Sequence, residues 1–423
     1  MKVLHINTAS TGGAAIAAIR IHEALLENNI DSNLLTLYPS KKNIKNHFVF
    51  KGKSLKKSVE YPVLTLKNWI IEKFSKRYQL QKALENETDL YRKKMITPEV
   101  IDGVASFGLF SFPDSNFDVT ELEIYKQADI IHLHWIAGFI DYELFFKKNK
   151  KPVVWTLHDA NPFLGGFHHT DDELRNEKTH RVIDKKIKEI KYNAINNCRK
   201  IVVVSPSNWL ANEAKKSKIF SNRRVVTIRN CISHDIFKQN DKVFSRKLLN
   251  LDLNKKIFLL ASNDLKDFRK GIDLVLPIIE SPLFKDFLFL LVGSNFEKLN
   301  LDNIVALNNI NDELLMSVVY SASDFFILPS RLDNLPNTML ESIACGTPVI
   351  SFPIGDTDEL LVNSRCGIVT KKISTESLLE LLKDENLEEK FNKDNLINFS
   401  QKIFSSRVVS ENYISEYKKI LSE

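Results

Sequence analysis

The sequence is poor in cysteine, with four among its 423 residues. These are Cys198, Cys231, Cys345 and Cys366, and their spacing fits neither a set of metal ligands nor a disulfide framework. The scarcity argues against a disulfide-rich secreted scaffold and suits a reducing cytoplasm.

Long apolar runs are also missing. No window approaches the ~18 consecutive apolar residues of a transmembrane helix. At the amino terminus, a single strand's worth of apolar residues leads into a polar glycine loop, so we expect no signal peptide. These absences predict a cytoplasmic protein that is soluble or peripheral to the membrane.

The composition is that of a globular protein, with 43% hydrophobic and 26% charged residues. The chain is too long for one ordinary core, and two domains of about 200 residues each are expected. The net charge of +6 is concentrated in one segment. Residues 51–94 carry 12 Lys/Arg against 5 Asp/Glu, and apolar residues recur there at helical spacing (Val63, Leu66, Ile70 and Phe74).

Such a basic amphipathic helix has two interpretations, and both stay open. It can lie on an anionic membrane surface, or its apolar stripe can pack on the domain with the lysines in solvent. Nucleic-acid binding is not indicated, because no aromatic platform or known motif accompanies the charge.

Short apolar runs rich in valine and isoleucine alternate with helical patterns through both halves of the chain. This alternation is typical of βαβ units and therefore predicts an α/β fold with parallel sheets. The predicted strands are 3–6, 32–37, 130–134, 153–157, 201–204, 257–260, 287–292, 325–328 and 349–352, with a first helix over 14–28.

The most informative stretch follows the predicted strand at 325–328. A polar turn carries Asp333 and Asn334, and a short helix that begins near Asn337 contains Glu341. Ligands bind at the carboxyl ends of parallel strands, and a helix start offers unpaired N–H groups to a phosphate. Glu341 can accept hydrogen bonds from the vicinal diol of a ribose. The pattern indicates a nucleotide site, and the alternative is an ordinary buried strand–turn–helix with a capping acid.

This segment resembles the donor-nucleotide motif of the retaining GT-B glycosyltransferases of family 4. Members carry two acidic residues eight apart, then a small-residue helix end and a Cys-Gly-x-Pro-Val run. Asp333 and Glu341 have that spacing, and the run CGTPV begins at Cys345. The first acidic residue of the family is normally glutamate, so Asp333 is a departure.

The resemblance implies two Rossmann-like, doubly wound domains that face each other across a cleft. Residues 1–230 would form the acceptor-side domain, with 51–94 as a basic amphipathic insert. Residues 231–400 would form the nucleotide-sugar-binding domain, and residues 401–423 a helix that returns to the first domain.

The resemblance also gives roles to residues on other loops. Gly12 and Gly13 would approach the donor phosphates and the acceptor, although a structural tight turn would need the same glycines. His158, at the end of a buried strand, would lie near the transferred sugar. Arg269 and Lys270 would stabilise the departing diphosphate.

The donor site would be completed by further residues of both regions. The usual Gly-Arg of the family is missing, so Lys266 or Arg269 would supply a second cation; a solvated basic loop is the alternative. Glu341 would hold the ribose. The donor sugar would be oriented by His158, by Asp333 and by the backbone of Asn334, Leu335, Pro336, Asn337 and Thr338.

No metal or cofactor is expected beyond the nucleotide-sugar substrate. The run from Asp356 to Asp358 fits a D-x-D pattern only superficially and is predicted to be a turn. The adjacent His168 and His169 rarely ligate one ion together, so we expect no zinc site there.

The resemblance implies transfer of a sugar, with retention, from a nucleotide donor, expected to be UDP-linked. The acceptor would be a glycan or a lipid-linked sugar of bacterial surface polysaccharide synthesis, because the runs HLHW from His132 and NPFLGG from Asn161 resemble the colanic-acid and lipopolysaccharide-type subgroup. The alternatives are a nucleotide-sugar 2-epimerase or a phosphorylase of the same fold, and a non-catalytic nucleotide-sugar-binding protein.

Overall fold

The computed structural model of the protein describes residues 1–52, 100–101, 104–105, 107–262, 267–294 and 301–423. The predicted amphipathic helix within 51–94 lies outside these residues, apart from Lys51 and Gly52. Lys266 also lies outside them.

The described secondary structure alternates strands and helices along the chain. The strands are β1 (Lys2–Asn7), β2 (Asp31–Thr36), β3 (His47–Val49), β4 (Val100–Ile101), β5 (Val104–Ala105), β6 (Ile130–Leu133), β7 (Val153–Thr156), β8 (Ile201–Ser205), β9 (Arg224–Thr227), β10 (Ile257–Ala261), β11 (Leu288–Val292), β12 (Ile304–Leu307), β13 (Phe325–Leu328), β14 (Val349–Ser351) and β15 (Gly367–Val369). The α-helices are α1 (Gly13–Glu27), α2 (Glu123–Gln127), α3 (Tyr142–Lys148), α4 (Thr170–Arg175), α5 (Glu177–Asn196), α6 (Asn208–Lys216), α7 (Lys242–Leu248), α8 (Leu276–Ile279), α9 (Glu313–Ala322), α10 (Asn337–Ala344), α11 (Thr375–Leu382), α12 (Lys393–Phe404) and α13 (Ser406–Ser422).

Two parallel sheets organise these elements. The first has seven strands in the order β3-β2-β1-β6-β7-β8-β9, and the second has six in the order β12-β11-β10-β13-β14-β15. The strand order reverses beside β1 in the first sheet and beside β10 in the second. Ligand crevices form at such reversals, outside the carboxyl ends of the strands. The predicted α/β fold with two parallel sheets is confirmed, and β4 and β5 form a separate small hairpin.

Each sheet is buried on both faces, as the near-continuous apolar strands require. One face of the first sheet packs in a large core that includes Phe139 and Trp155. Its other face is covered by α1 and α13, where Tyr413 and Tyr417 are fully buried. The second sheet has a core on either side in the same way.

The carboxyl-terminal helix α13 packs against α1 and β8 of the first sheet, although it follows the second sheet in the chain. An ion pair ties α13 to the edge strand β9, with Arg224 Nη1 2.7 Å from Glu416 Oε2. The chain therefore links the two sheets twice, once after β9 and once at the junction of α12 and α13.

Four strands of the two sheets have no counterpart among the predicted strands: β3, β9, β12 and β15. The basic run around β9 masks the strand in the sequence, because arginines flank its two valines. β9 is the last strand of its sheet, so one of its edges pairs with no other strand. Charged side chains are tolerated on such edge strands. None of the helices in the described ranges is long and apolar enough to cross a bilayer.

Candidate active site in the interdomain cleft

Two strand ends of the second sheet bring Lys270 and Asp333 together. Lys270 ends a short 3₁₀ turn (Phe268–Lys270) after β10, and Asp333 lies in the loop after the neighbouring strand β13. Lys270 Nζ donates a hydrogen bond to Asp333 Oδ2 at 2.6 Å. Both side chains are partly exposed, so the pair faces solvent in the cleft and can exchange partners with a ligand.

Gly271 fixes the position of Lys270. Its φ of 64° is in the left-handed region, and a Cβ added there would lie 1.9 Å from the carbonyl oxygen of Pro329. Only glycine allows this approach, which presses the turn after β10 against the end of β13.

The helix α10 begins at Asn337, as predicted, and no side chain caps it. Pro336 precedes the first turn, and the unpaired N–H groups of that turn give the helix start a positive end. Asn337 Nδ2 donates to the carbonyl oxygen of Gly13 at 3.0 Å. The start of α10 in the second domain thus meets the start of α1 in the first.

The glycine loop at the start of α1 leaves space in the cleft. Gly12 has a φ of 88°, which a side chain would strain. A Cβ added at Gly12 or at Gly13 would meet no atom of the described residues within 4 Å. The backbone turn therefore needs a glycine at Gly12, while the open space beside Gly13 is available to a ligand.

Asn334 joins the two domains across the cleft. Its Nδ2 is 3.4 Å from the carbonyl oxygen of His158, and its Oδ1 accepts a hydrogen bond from Ser207. The adjacent Leu335 packs its side chain in the core of the second domain, so only its backbone can face a ligand. Thr338 is partly exposed on the first turn of α10.

His158 ends a row of imidazoles on one face of the first sheet. His134 Nδ1 lies 3.1 Å from His158 Nε2, and His134 Nε2 lies 2.9 Å from His5 Nδ1. The rings of His134 and His158 stack with centroids 5.3 Å apart. Burial lowers the pKa of His158 to about 4, so the side chain is neutral at neutral pH and acts as a hydrogen-bonding group.

A fourth member, His132, connects this row to the carboxyl-terminal helix. Its Nδ1 lies 2.6 Å from the hydroxyl of Tyr417, and its Nε2 lies 2.7 Å from the hydroxyl of Thr156. Nitrogens of His5, His132 and His134 fall within 4.8 Å of one another, a spacing that a metal site could use. Hydrogen bonds already engage both nitrogens of His132 and of His134, and no carboxylate is among the three, so the donor set fits a bonded row of neutral imidazoles better.

The loop after β7 is held by buried charges. Asp159 Oδ2 accepts from Trp135 Nε1 at 2.8 Å and lies 2.6 Å from His168 Nδ1. Burial alone would raise the pKa of Asp159, but His168 and the other polar partners hold that pKa well below its usual range. Lys191 of α5 donates hydrogen bonds to the carbonyl oxygens of Asn161 and Gly165, both at 2.6 Å, and so connects the loop to that helix.

Arg269 reaches the first domain from the other side of the cleft. Its Nη2 is 2.7 Å from Asp267 Oδ2, and its Nη1 contacts the ring of His169. Beside it, a cavity of about 290 Å³ opens between α4 and the second domain. It is lined by Asp171, Asp172, Leu174, Arg175, Phe268, Arg269, Arg331 and Leu332.

Glu341 is buried on α10, and both of its oxygens already have partners. Oε1 accepts from Arg20 Nη2 at 2.7 Å, and Oε2 accepts from the hydroxyl of Tyr320 at 2.9 Å. Arg20 belongs to none of the motifs recognised in the sequence. The feature of the sequence that could have indicated Arg20 is an isolated arginine in the apolar, alanine-rich helix α1, where the adjacent residues are buried.

Asp356, in the predicted turn, joins the two domains. Its carboxylate accepts from the backbone N–H groups of Asn208 (2.5 Å) and Trp209 (2.7 Å) at the start of α6, and it pairs with Arg229. An acid at a helix start is favourable because it meets unpaired N–H groups and the positive end of the helix dipole. Asp358 begins a π-helical turn (Asp358–Val362).

The structure therefore gathers most of the predicted site residues in one cleft. Asn334 and the start of α10 contact His158 and Gly13 of the first domain, and Asp333, the neighbour of Asn334, holds Lys270. Arg269 lies at the edge of this group beside the cavity.

Comparison with known proteins agrees with this arrangement. A profile described as Glycosyltransferase Family 4 matches residues 97–236, and one described as Glycosyl transferases group 1 matches residues 255–384. Together these two matches cover more than half of the chain, one on each sheet.

Three proteins illustrate the similarity. The N-acetyl-alpha-D-glucosaminyl L-malate synthase of Bacillus anthracis is 22% identical over 340 residues, which is 76% of this chain and 83% of that enzyme. The O-antigen biosynthesis glycosyltransferase WclY of Escherichia coli is 26% identical over 52% of this chain and 60% of its own length. The structure of Anabaena Alr3699/HepE in complex with UDP has a TM-score of 0.64 at 13% identity, and covers 99% of this chain and 100% of that one.

The fold, the cleft and these matches define a glycosyltransferase of the GT-B class. The chain belongs to glycosyltransferase family 4.

Proposed function

We propose that this glycosyltransferase moves a sugar from a UDP-linked donor, with retention, to a glycan or a lipid-linked acceptor of bacterial surface polysaccharide synthesis. Two similarities support this choice of substrates. The Anabaena protein of the same fold is described in complex with UDP and with UDP-glucose, and the relative from Escherichia coli is named for O-antigen biosynthesis.

The observation that carries the proposal is the Lys270–Asp333 pair beside the uncapped start of α10. A diphosphate placed there would meet the ammonium of Lys270 and the unpaired N–H groups of the first helical turn. Lys270 would then exchange its carboxylate partner for a phosphate oxygen. The freed Asp333 carboxylate, beside Asn334, would accept hydrogen bonds from hydroxyls of the donor sugar.

These groups would lower the barrier by stabilising the leaving group. Negative charge develops on the diphosphate as the bond between the anomeric carbon and the phosphate oxygen breaks, and Lys270 with the helix start is fixed next to that charge. Arg269, at the edge of the same site, would exchange Asp267 for the outer phosphate in the same way. We propose that the cations and the helix start replace a divalent metal.

Retention would follow from attack on the face that the diphosphate leaves. The acceptor hydroxyl forms the new bond to the anomeric carbon, and its proton passes to the departing phosphate oxygen. No enzyme carboxylate then has to act as a nucleophile, unlike in retaining glycosidases. Neutral His158 would orient a sugar hydroxyl, and the cavity beside Arg269 would admit the acceptor.

The experiment that tests the proposal follows the reaction of UDP-sugars by NMR, with and without glycan acceptors. We expect a glycoside whose anomeric configuration equals that of the donor, and we expect unchanged turnover in EDTA. An inverted product, an acceptor-independent epimerisation of the donor, or activity that EDTA abolishes and manganese restores would contradict it.

We also propose that the enzyme works at the inner face of the cytoplasmic membrane, held by the basic segment 51–94. A lipid-linked acceptor would be reached there, and basic residues bind anionic headgroups. Co-sedimentation with vesicles containing phosphatidylglycerol, but not with pure phosphatidylcholine vesicles, is the expected result. Equal binding to both or to neither would argue that the segment packs on the fold.

A further inference from the structure

Arg20 is a buried cation that the proposed chemistry does not use. It projects from α1 of the first domain and is 7% exposed. Its Nη2 lies 2.7 Å from Glu341 Oε1 and 2.8 Å from Glu313 Oε1, both in the second domain. The guanidinium also lies over the ring of Phe237, 4.9 Å from its centroid. One side chain thus ties α1 to α9 and α10.

The other terminal nitrogen of Arg20 is incomplete. Nη1 is buried and has no hydrogen-bond partner among the described residues. An unpaired donor of a buried charged group is costly, so such an atom needs a reason. Nη1 and Nη2 share one carbon in a planar fork, so Nη1 lies within the width of one guanidinium group from the nitrogen that binds Glu341.

The two oxygens of Glu341 limit how it can bind a diol. Arg20 and Tyr320 each engage one oxygen, and the remaining lone pairs can still accept from hydroxyl groups. A ribose hydroxyl that donates to Glu341 offers its own oxygen lone pairs nearby. A guanidinium donor beside the carboxylate matches those lone pairs.

We propose that Arg20 is a second recognition group for the nucleoside: it fixes the Glu341 carboxylate, and its free Nη1 donates to a ribose hydroxyl oxygen. This inference rests on the proposed placement of the ribose at Glu341. Because Arg20 comes from the first domain and Glu341 from the second, the ribose site is complete only when the cleft is closed. Nucleoside binding and closure are then coupled through one side chain.

The test compares the affinity for UDP with that for 2′-deoxy-UDP by calorimetry, using the full chain. Wild type should prefer UDP, since the deoxy compound leaves a buried polar group unpaired. R20Q should bind UDP about tenfold more weakly, the size of one lost hydrogen bond to a charged group, and should lose most of the preference. R20K keeps the positive charge but lacks the two terminal nitrogens of a guanidinium. It should therefore recover affinity for UDP without recovering the preference for UDP over 2′-deoxy-UDP.

The matched control is D356N, which also weakens an ion pair between the domains but does not touch Glu341. D356N should leave the ratio of the two affinities unchanged. In small-angle scattering, UDP should compact wild type and D356N more than R20Q. Melting curves identify a variant that fails to fold. If R20Q does not fold, wild type is compared with R20K, in which Glu341 and Glu313 keep a cationic partner.

The outcomes separate the inference from the proposed function. If R20Q and R20K retain the wild-type ratio of affinities, the inference is wrong even if UDP binds. If wild type does not bind UDP, the choice of uridine is wrong, and the same comparison is run with ADP and 2′-deoxy-ADP and with GDP and 2′-deoxy-GDP, because Arg20 would read the ribose and not the base. No binding of any of these nucleotides would overturn both.

Discussion

Single residues decide the geometry of the loops around the cleft, and glycines do so in two different ways. Gly271 is required by the fold, because its backbone is left-handed and Pro329 leaves no room for a side chain. Gly13 has open space beside it, so the fold does not exclude alanine there. The pair separates a glycine that the fold requires from one whose open side we propose faces the donor.

We predict that Gly271→Ala destabilises the protein by about 3 kcal/mol, the upper range for a strained residue in the left-handed region. The clash with the Pro329 carbonyl would also displace Lys270, so activity should fall with stability. Thermal unfolding and donor turnover are the measurements. A variant that melts and turns over like wild type would contradict the role assigned to Gly271.

Gly13→Ala should behave differently, and it serves as the partner experiment. We expect a melting temperature close to that of wild type, because nothing in the described residues contacts the added methyl group. The KM for the donor should rise, since the methyl group occupies space proposed for the donor phosphates. An unchanged KM would show that the donor stays away from this loop.

Lys270→Ala should lower kcat about 100-fold, the usual cost of one donor that stabilises a developing negative charge.

Asp333→Asn removes the carboxylate and leaves Lys270 in place to stabilise the leaving diphosphate. It should therefore raise the KM for the donor sugar by a larger factor than it lowers kcat. Steady-state kinetics separate the two effects. Wild-type kcat in Lys270→Ala would rule out the proposed catalytic role of that lysine.

The sequence predicted local features at this scale better than contacts between distant residues. The helix start at Asn337 was predicted, because a proline and a polar turn precede an apolar helix. The pairing of Arg20 with Glu341 was not predicted, since the two residues lie 321 positions apart and meet only through the packing of two domains. The direct ion pair of Lys270 with Asp333 was missed for the same reason.

At the scale of elements, the neighbouring strands β1, β6 and β7 determine the histidine row. Side chains alternate along a strand, so His132 and His134 share one face, and His5 is the register partner of His132. The sequence shows each histidine in a strand or just after one, but the row depends on strand order, which single strands do not reveal. The hydroxyl of Tyr417 on α13 completes it from the far end of the chain.

The histidines of this row, together with the buried His22 on α1, predict acid sensitivity. Burial lowers the pKa of His22 and of His158 to about 4, and it holds those of His5, His132 and His134 well below 6.5. The unfolded chain therefore binds more protons between pH 4 and 6.5. Stability should be fully present above about pH 6.5 and lost as pH falls, by about 2 kcal/mol at pH 5 for each group with a pKa near 4.

The free energy of unfolding in urea, measured from pH 5 to pH 7.5, checks this. We expect the stability to rise steeply with pH and to level off near neutrality. A flat profile over this range would mean that the histidines titrate normally and that the row is hydrated.

At the scale of the whole molecule, the two domains meet through charges, and these contacts are spread along the cleft. Arg20 joins α1 to α9 and α10, and Asp356 receives the start of α6. A partly buried ion pair stabilises the contact only when both partners are present, and each partner can be hydrated when the domains separate. The alternation of strands and helices predicted parallel α/β sheets, and the resemblance to family 4 implied the two-domain arrangement; the structure has both sheets.

We propose that the donor diphosphate binds between Lys270 and the start of α10, with the ribose at Glu341. The most direct measurement is a crystal structure of the enzyme with UDP. We expect phosphate oxygens within hydrogen-bond distance of Lys270 Nζ and of the first N–H groups of α10, and a ribose diol on the Glu341 carboxylate. UDP bound elsewhere, or an empty cleft at saturating UDP, would contradict it.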